Sequence, residues 1–274
     1  MAYNAVILKD SKAPSGSRLV SFEVTFPRIV LAEFNTHKML SKNSASSRAI
    51  PVNKIIERIE QDPFIPIHWG KNQKGMQAEV ELTQDEQEEA KVAWLEAKVQ
   101  AITSAKKLLE IGVHKQITNR LMEPFMWHTV IATATEWENF FGLRTHKDAQ
   151  PEIRKIALMM EELYRVSTPK DLKVFEYHLP LVNDYDDLVK DGYTEDEICK
   201  ISAGRCARVS YLTHNGTRDP KADIDLCEKL RAAGHMSPFE HVAMASNTDI
   251  QSGNLTGWVQ YRKTIPGESI YKPK

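Results

Sequence analysis

A chain of 274 residues with 36 basic and 37 acidic side chains carries a formal net charge of −1. That balance shows no electrostatic footprint for a nucleic-acid polymer or an acidic membrane, and it leaves room for a local cationic pocket. Hydrophobic content of 42% is enough for a sizeable core, and no apolar run approaches the ~18 residues of a membrane span.

In chain order, residues 3–9 and 19–26 are predicted as strands, rich in Val, Ile and Phe and separated by the breaker stretch SKAPSGS. After Pro27, RIVLAEFNTHKML predicts a short helix leading into a serine-rich loop. Pro51 suits the first turn of a helix over VNKIIERIEQ that ends before Pro63, and residues 63–80 read as a long surface connection. The strongest helix signal runs from Gln84 to Ile111. Thr83 and Glu86 form a capping-box pattern at its start, and Gly112 is placed to end it. Its stripe of Ala90, Ala93, Ala97, Ala101 and Ala105 suits close packing, in the core or between subunits. FMWHTVIATATEW predicts a buried strand; ENFFGLR and PEIRKIALMMEELYR predict helices. Residues 167–193 read as loop. Thr194 with Glu197 starts a helix, DIDLCEKLRAAG forms another that Gly234 ends, and HVAMASN is a strand before the ambiguous WVQYRKTI. The class is α+β.

Two polar segments carry chemistry. In THKMLSKNSASSR, residues Thr36 to Arg48, hydroxyls and amides crowd ahead of one guanidinium. Free backbone N–H groups, hydroxyl donors and an arginine suit phosphate, although the same residues also favour a plain solvated turn. In GHMSPFEH, residues Gly234 to His241, glycine ends a helix and Ser237-Pro238 begins the next element. His235 and His241 suggest zinc, but no third ligand has suitable spacing, so no metal is expected. Cys199, Cys206 and Cys227 are odd in number and without metal spacing, the pattern of reduced cytoplasmic thiols. The N-terminus lacks the features of a secretory signal, and a cytoplasmic location is expected. Rossmann, P-loop and GxSxG signatures are missing.

These segments resemble the flavin-dependent thymidylate synthases, the ThyX family. Against the family's RHRxxSxNExSxR, the chain keeps His37, Ser41, Asn43, Ser46 and Arg48, with Lys38 as a like-charged replacement. GHMSPFEH reproduces the family's GHxSPFEH; RCARVSY, Arg205 to Tyr211, resembles its ARVS segment; ENFFGLRTHKDAQPEIR, ending at Arg154, resembles its NFLxLRxxxxAQxEIR stretch. The order differs: the pair that comes first in the family comes last here, as in a circular permutation, which is tolerable where termini meet at a surface.

The resemblance implies a ThyX-like mixed fold with a central antiparallel sheet and helices. It implies one domain over 1–274, with insertions at about 52–115 and 165–200, assembled as a homotetramer with shared active sites. FAD, reduced by NADPH, would serve transfer of a one-carbon unit from methylenetetrahydrofolate to C5 of a pyrimidine nucleotide, by default dUMP to dTMP. Residue by residue, Ser44, Ser46, Ser47, Arg48 and Arg154 would bind the nucleotide. His37, Lys38, Met39, Ser41, Arg144, Ser210, His235, Ser237 and Glu240 would meet the flavin cofactor, and His37 and Arg154 would be catalytic. Three departures, Thr36 for Arg, Ser44 for Glu and Ala49 for Tyr, fall beside the nucleotide. They open two alternatives: hydroxymethylation of dCMP or a related nucleotide, and a non-catalytic nucleotide-binding protein. Arg262 and Lys263 in the C-terminal segment are candidates to replace the missing charge.

Overall fold

Strand β1 (Asn4–Lys12) turns back through Gly16 into β2 (Arg18–Pro27), as the Val/Ile/Phe runs require. The turn takes a positive φ of 93° at Gly16, a conformation glycine adopts without strain. These strands belong to a computed structural model that describes residues 3–216 and 218–270. Helix α1 (Leu31–Asn35) is shorter than the predicted one, because a 3₁₀ turn over Arg28–Val30 uses the residues before it. Strand β3 (Ser41–Ser44) corrects the expected loop: the serine-rich segment pairs antiparallel, Ser41 opposite Thr133 and Ser44 opposite Val130. Serine and asparagine have low strand preference, and tertiary pairing overrides it here.

Helix α2 (Val52–Gln61) packs through Ile55, Ile56 and Ile59. Helix α3 (Gln84–Glu110) has the predicted capping box in full, the Thr83 hydroxyl accepting from the Glu86 amide and the Glu86 carboxylate from the Thr83 amide. Its alanine stripe is not buried along its length: Ala105 is buried with Ile102, whereas Ala93 and Ala97 are exposed. After α4 (Lys115–Thr118) and a 3₁₀ turn over Asn119–Phe125 comes β4 (Trp127–Ala134). Helices α5 (Glu138–Arg144) and α6 (Pro151–Val166) follow, close to their predicted bounds.

Strand β5 (Lys170–Asp171) completes a five-stranded sheet of order β3-β4-β2-β1-β5, antiparallel except for the β1–β5 pair. Alternation along β2 explains how this sheet is sandwiched. Val20, Phe22, Val24 and Phe26 face the core formed with Trp137, Phe140, Phe141, Ile153, Ile156 and Met160 of the α5–α6 layer. Ser21 is buried on the alternate positions. Its hydroxyl belongs to a chain running from Ser11 through His178, Ser21 and Thr133 to His241, with links of 2.9, 2.9, 2.6 and 2.8 Å.

That chain ties the large sheet to β6 (Tyr177–His178) and the His241 segment. Next come α7 (Tyr185–Lys190), α8 (Glu195–Ala207) with its predicted Thr194–Glu197 capping box, and α9 (Pro220–Ala232). Helices α8 and α9 cross at Gly204, where a β-carbon would lie 2.3 Å from the Asp223 carbonyl oxygen. Arg205, 1% exposed, donates to both Asp184 carboxylate oxygens at 2.6 and 2.9 Å, to Asp223 at 3.1 Å and to the Leu181 carbonyl. The remaining strands are β7 (Ala243–Ala245), β8 (Gln251–Ser252), β9 (Leu255–Thr256) and β10 (Trp258–Gln260), before α10 (Tyr261–Thr264). Strands β10, β7 and β6 form a three-stranded sheet, and β8 pairs with β9. No helix among the described residues is long and apolar enough to cross a membrane.

Candidate active site

The two polar segments from opposite ends of the chain meet at the edge strand β3. The Ser46 amide donates to the Ser210 carbonyl at 2.9 Å, and the Asn43 side chain reaches the Cys206 carbonyl at 3.5 Å. Ser44, Ser46, Ser47 and Arg48 share one polar concavity with Ser210 and Ser237. The turn that follows β3 keeps the amides of Ser47 and Arg48 without an acceptor among the described residues, which suits an anion.

Arg28, Lys42 and Arg120 line the same concavity; Lys42 stands at a variable position of the serine-rich motif, and Arg28 and Arg120 lie outside the motifs. Arg28 sits just past the proline that ends β2, and Arg120 in the 3₁₀ turn before β4. The signal for them is spatial: β2 and the turn before β4 lie side by side through the sheet, and no local pattern announces it. The Lys42 ammonium donates to the His37 carbonyl at 2.6 Å. Burial, with Lys38 alongside, lowers its pKa to about 8. The Lys42 charge is therefore present below about pH 8 and lost above it. Phosphate affinity is expected to fall between pH 7 and 9 in a titration of inorganic phosphate, and Lys42→Arg should flatten that fall. A wild-type profile flat over this range would remove Lys42 from the site.

His37, Lys38, Met39 and Arg144 line a neighbouring cavity of about 600 Å³ with Glu136, Leu143 and Tyr164. His37 is buried, its ring edge-on to Phe140 at 5.0 Å, and its Nε2 accepts from Arg144 Nε at 2.8 Å. Burial, then the charges of Arg144 and Lys42, lowers its pKa to about 4. The ring is neutral at pH 7 with its proton on Nδ1. Thr36, which stands where the family has its first arginine, accepts from Arg144 Nη2 at 3.1 Å. Thus the position that lost a cation now orients one.

The other predicted residues are scattered. Ser41 is buried and bonded to Asn254, with 3.1 and 3.0 Å contacts. His235 is exposed at the end of α9. Glu240 accepts from Arg262 Nη1 at 2.5 Å, and Arg262 also reaches Glu268 at 2.7 Å. Lys263 donates to Glu268 as well. Arg262 and Lys263, the candidates to replace the missing charge, are thus both paired with neighbouring acids. Arg154 lies elsewhere on the subunit, in a surface groove with Lys155 and Arg165, its Nε donating to the Thr145 carbonyl at 3.1 Å.

His241 is fully buried on Thr133, and burial lowers its pKa to about 3. It is unavailable to pair with exposed His235, and no metal-binding group of three or more His, Cys, Asp or Glu occurs among the described residues. The three cysteines are free and buried, with thiol pKa values raised by burial.

The family model of the thymidylate synthase complementing proteins, Thy1, matches residues 17–170. The chain belongs to this family. The matched span includes the Thr36–Arg48 segment, Arg144 and Arg154, while Ser210 and the Gly234–His241 segment lie beyond it. No curated protein matches the chain in sequence. Among solved structures, the chain is similar to two crystal structures of a UMP/dUMP methylase, PolB from Streptomyces cacaoi. The one bound with 5-Br dUMP is 19% identical with a TM-score of 0.45, over 54% of this chain and 66% of that chain. The one bound with 5-Br UMP is 16% identical with a TM-score of 0.49, over 60% and 88%. Thy1 membership is thus carried by the part of the chain that builds β2 to α6, the serine-rich strand β3 included.

Proposed function

We propose that this Thy1 protein transfers a folate-derived one-carbon unit to C5 of a pyrimidine nucleotide, with dUMP to dTMP as the principal reaction. The observation that carries the reading is the serine- and arginine-rich concavity at Ser44–Arg48, inside the span matched by the family. In this reading Arg48 grips the nucleotide phosphate with its planar fork, assisted by Ser46, Ser47 and the two free amides. A new carbon–carbon bond forms at C5 as the C5 proton leaves. Methylenetetrahydrofolate supplies the carbon, and NADPH the hydride that brings it to the methyl level. No enzyme thiol is required, in keeping with cysteines that burial keeps protonated.

The cavity beside His37 has the chemistry for FAD. Lys38 and Arg144 are cations for a pyrophosphate, and Met39, Leu143 and Tyr164 are apolar surface for a flat ring. When bound there, the flavin would supply the redox chemistry of the transfer. Neutral His37, held by Arg144, would offer a fixed dipole at its edge. A homotetramer with shared sites would bring Arg154 of one copy to the nucleotide of another, which accounts for its separation from Arg48 within one chain. The order of the motifs is read as a circular permutation, with the C-terminal Ser210 and Ser237 returning to the N-terminal β3.

Ser44 lines the nucleotide concavity at a position where the family has glutamate. This departure favours hydroxymethylation of dCMP, or a change of base, as the second reading. Visible absorption after addition of FAD tests the cofactor. Product mass after incubation with dUMP or dCMP, methylenetetrahydrofolate and NADPH separates the reactions. A methyl increment on dUMP supports the first, a hydroxymethyl increment on dCMP the second, and no flavin binding with no product refutes both.

A further inference from the structure

One acidic side chain, Glu123, is bonded to cations that line the concavity. The Glu123 Oε1 atom accepts from Arg120 Nη1 at 2.7 Å, from the Ser47 hydroxyl at 2.8 Å and from Arg28 Nη2 at 3.2 Å. A single carboxylate oxygen therefore collects three donors from three separate segments of the chain. The arrangement is that of an anion cradle, with two guanidinium groups and one hydroxyl converging on one point. Around it, charge is in excess of what one carboxylate neutralises. Lys42 and Arg48 line the same concavity, and the Ser47 and Arg48 amides are unbonded among the described residues. Glu240, the other nearby acid, is taken by Arg262.

We propose that Arg28, Arg120 and Ser47 form a phosphate subsite held by the Glu123 carboxylate, which a phosphate monoester displaces on binding. The inference rests on the nucleotide reading above for the identity of the monoester, but the cradle itself does not depend on it. Glu123 is then a specificity-determining residue. A ligand with one negative charge gains little over the resident carboxylate, whereas a dianionic phosphate offers more charge and three oxygens to the same donors. Displacement is feasible because Glu123 is on a 3₁₀ turn, with its side chain 21% exposed.

Calorimetric titration of dUMP, and separately of inorganic phosphate, into wild type, Glu123→Gln and Arg120→Gln tests this. Removing the resident charge is expected to tighten both ligands by about tenfold, and removing the guanidinium to weaken both by about tenfold. Arg120 is 48% exposed, so its replacement keeps the test valid even if Glu123→Gln folds poorly. Unchanged or weaker phosphate binding by folded Glu123→Gln overturns the subsite, as does unchanged binding by Arg120→Gln. Tighter phosphate but no dUMP binding by any variant supports the subsite and refutes the nucleotide reading. Equal dUMP binding by wild type and Glu123→Gln refutes the subsite and leaves the nucleotide reading standing.

Discussion

Replacing Arg205 by alanine is expected to destabilise the protein by about 3–5 kcal/mol, the range for breaking a buried ion-pair network. The guanidinium is 1% exposed and is the shared partner of Asp184, Asp223 and the Leu181 carbonyl. Its loss leaves Asp223, 2% exposed, with Arg208 as its remaining partner at 2.6 Å. It also empties one of the largest fully buried side-chain volumes. The consequence reaches the site, because α8 continues directly into the turn over Arg208–Tyr211 whose Ser210 carbonyl holds the Ser46 amide. Lysine is a poor substitute: it keeps the charge but lacks the fork that spans two carboxylates and a carbonyl. The exposed Lys190–Asp187 pair, 75% and 77% accessible, is the control, and its removal should cost less than about 1 kcal/mol. Urea denaturation measures both. A loss below about 1 kcal/mol for Arg205→Ala would show that the network contributes no more than a surface pair.

Arg48→Ala is expected to weaken dUMP binding by about 10–100-fold, as loss of a charged hydrogen-bond donor to phosphate requires. Arg48 is exposed and unpaired among the described residues, so the melting temperature should stay near that of wild type. Binding of uridine, which has no phosphate, should be indifferent to the change. An unaltered dUMP affinity would move the phosphate away from the β3 turn, and equal losses for dUMP and uridine would point to general damage.

The local grammar of the chain was readable where a single residue type has one structural use. Thr83 with Glu86 and Thr194 with Glu197 marked helix starts, and Gly112 and Gly234 adopt the positive φ expected after helix ends. Ser41–Ser44 was not readable as a strand, because its residues pair for the sake of Thr133 and Val130 opposite, not from their own preference. The same limit applies to β5, β6 and α7, short elements inside a stretch that reads as loop. At the concavity, the motifs named Ser44, Ser46, Ser47 and Arg48, which line it with Ser210 and Ser237. They do not include Arg28, Arg120 and Glu123, whose convergence depends on sheet order, and they leave Lys42 at a variable position. His241 shows the opposite case: a motif histidine whose side chain is spent on a buried hydroxyl chain between the sheets.

The most direct test of the central claim is release of tritium from dUMP labelled at C5, since substitution there must expel that hydrogen. Protein supplied with FAD, NADPH and methylenetetrahydrofolate is predicted to release label in step with formation of dTMP, and to stop when the folate is omitted. Complete retention of the label by protein that binds both dUMP and FAD would contradict the account.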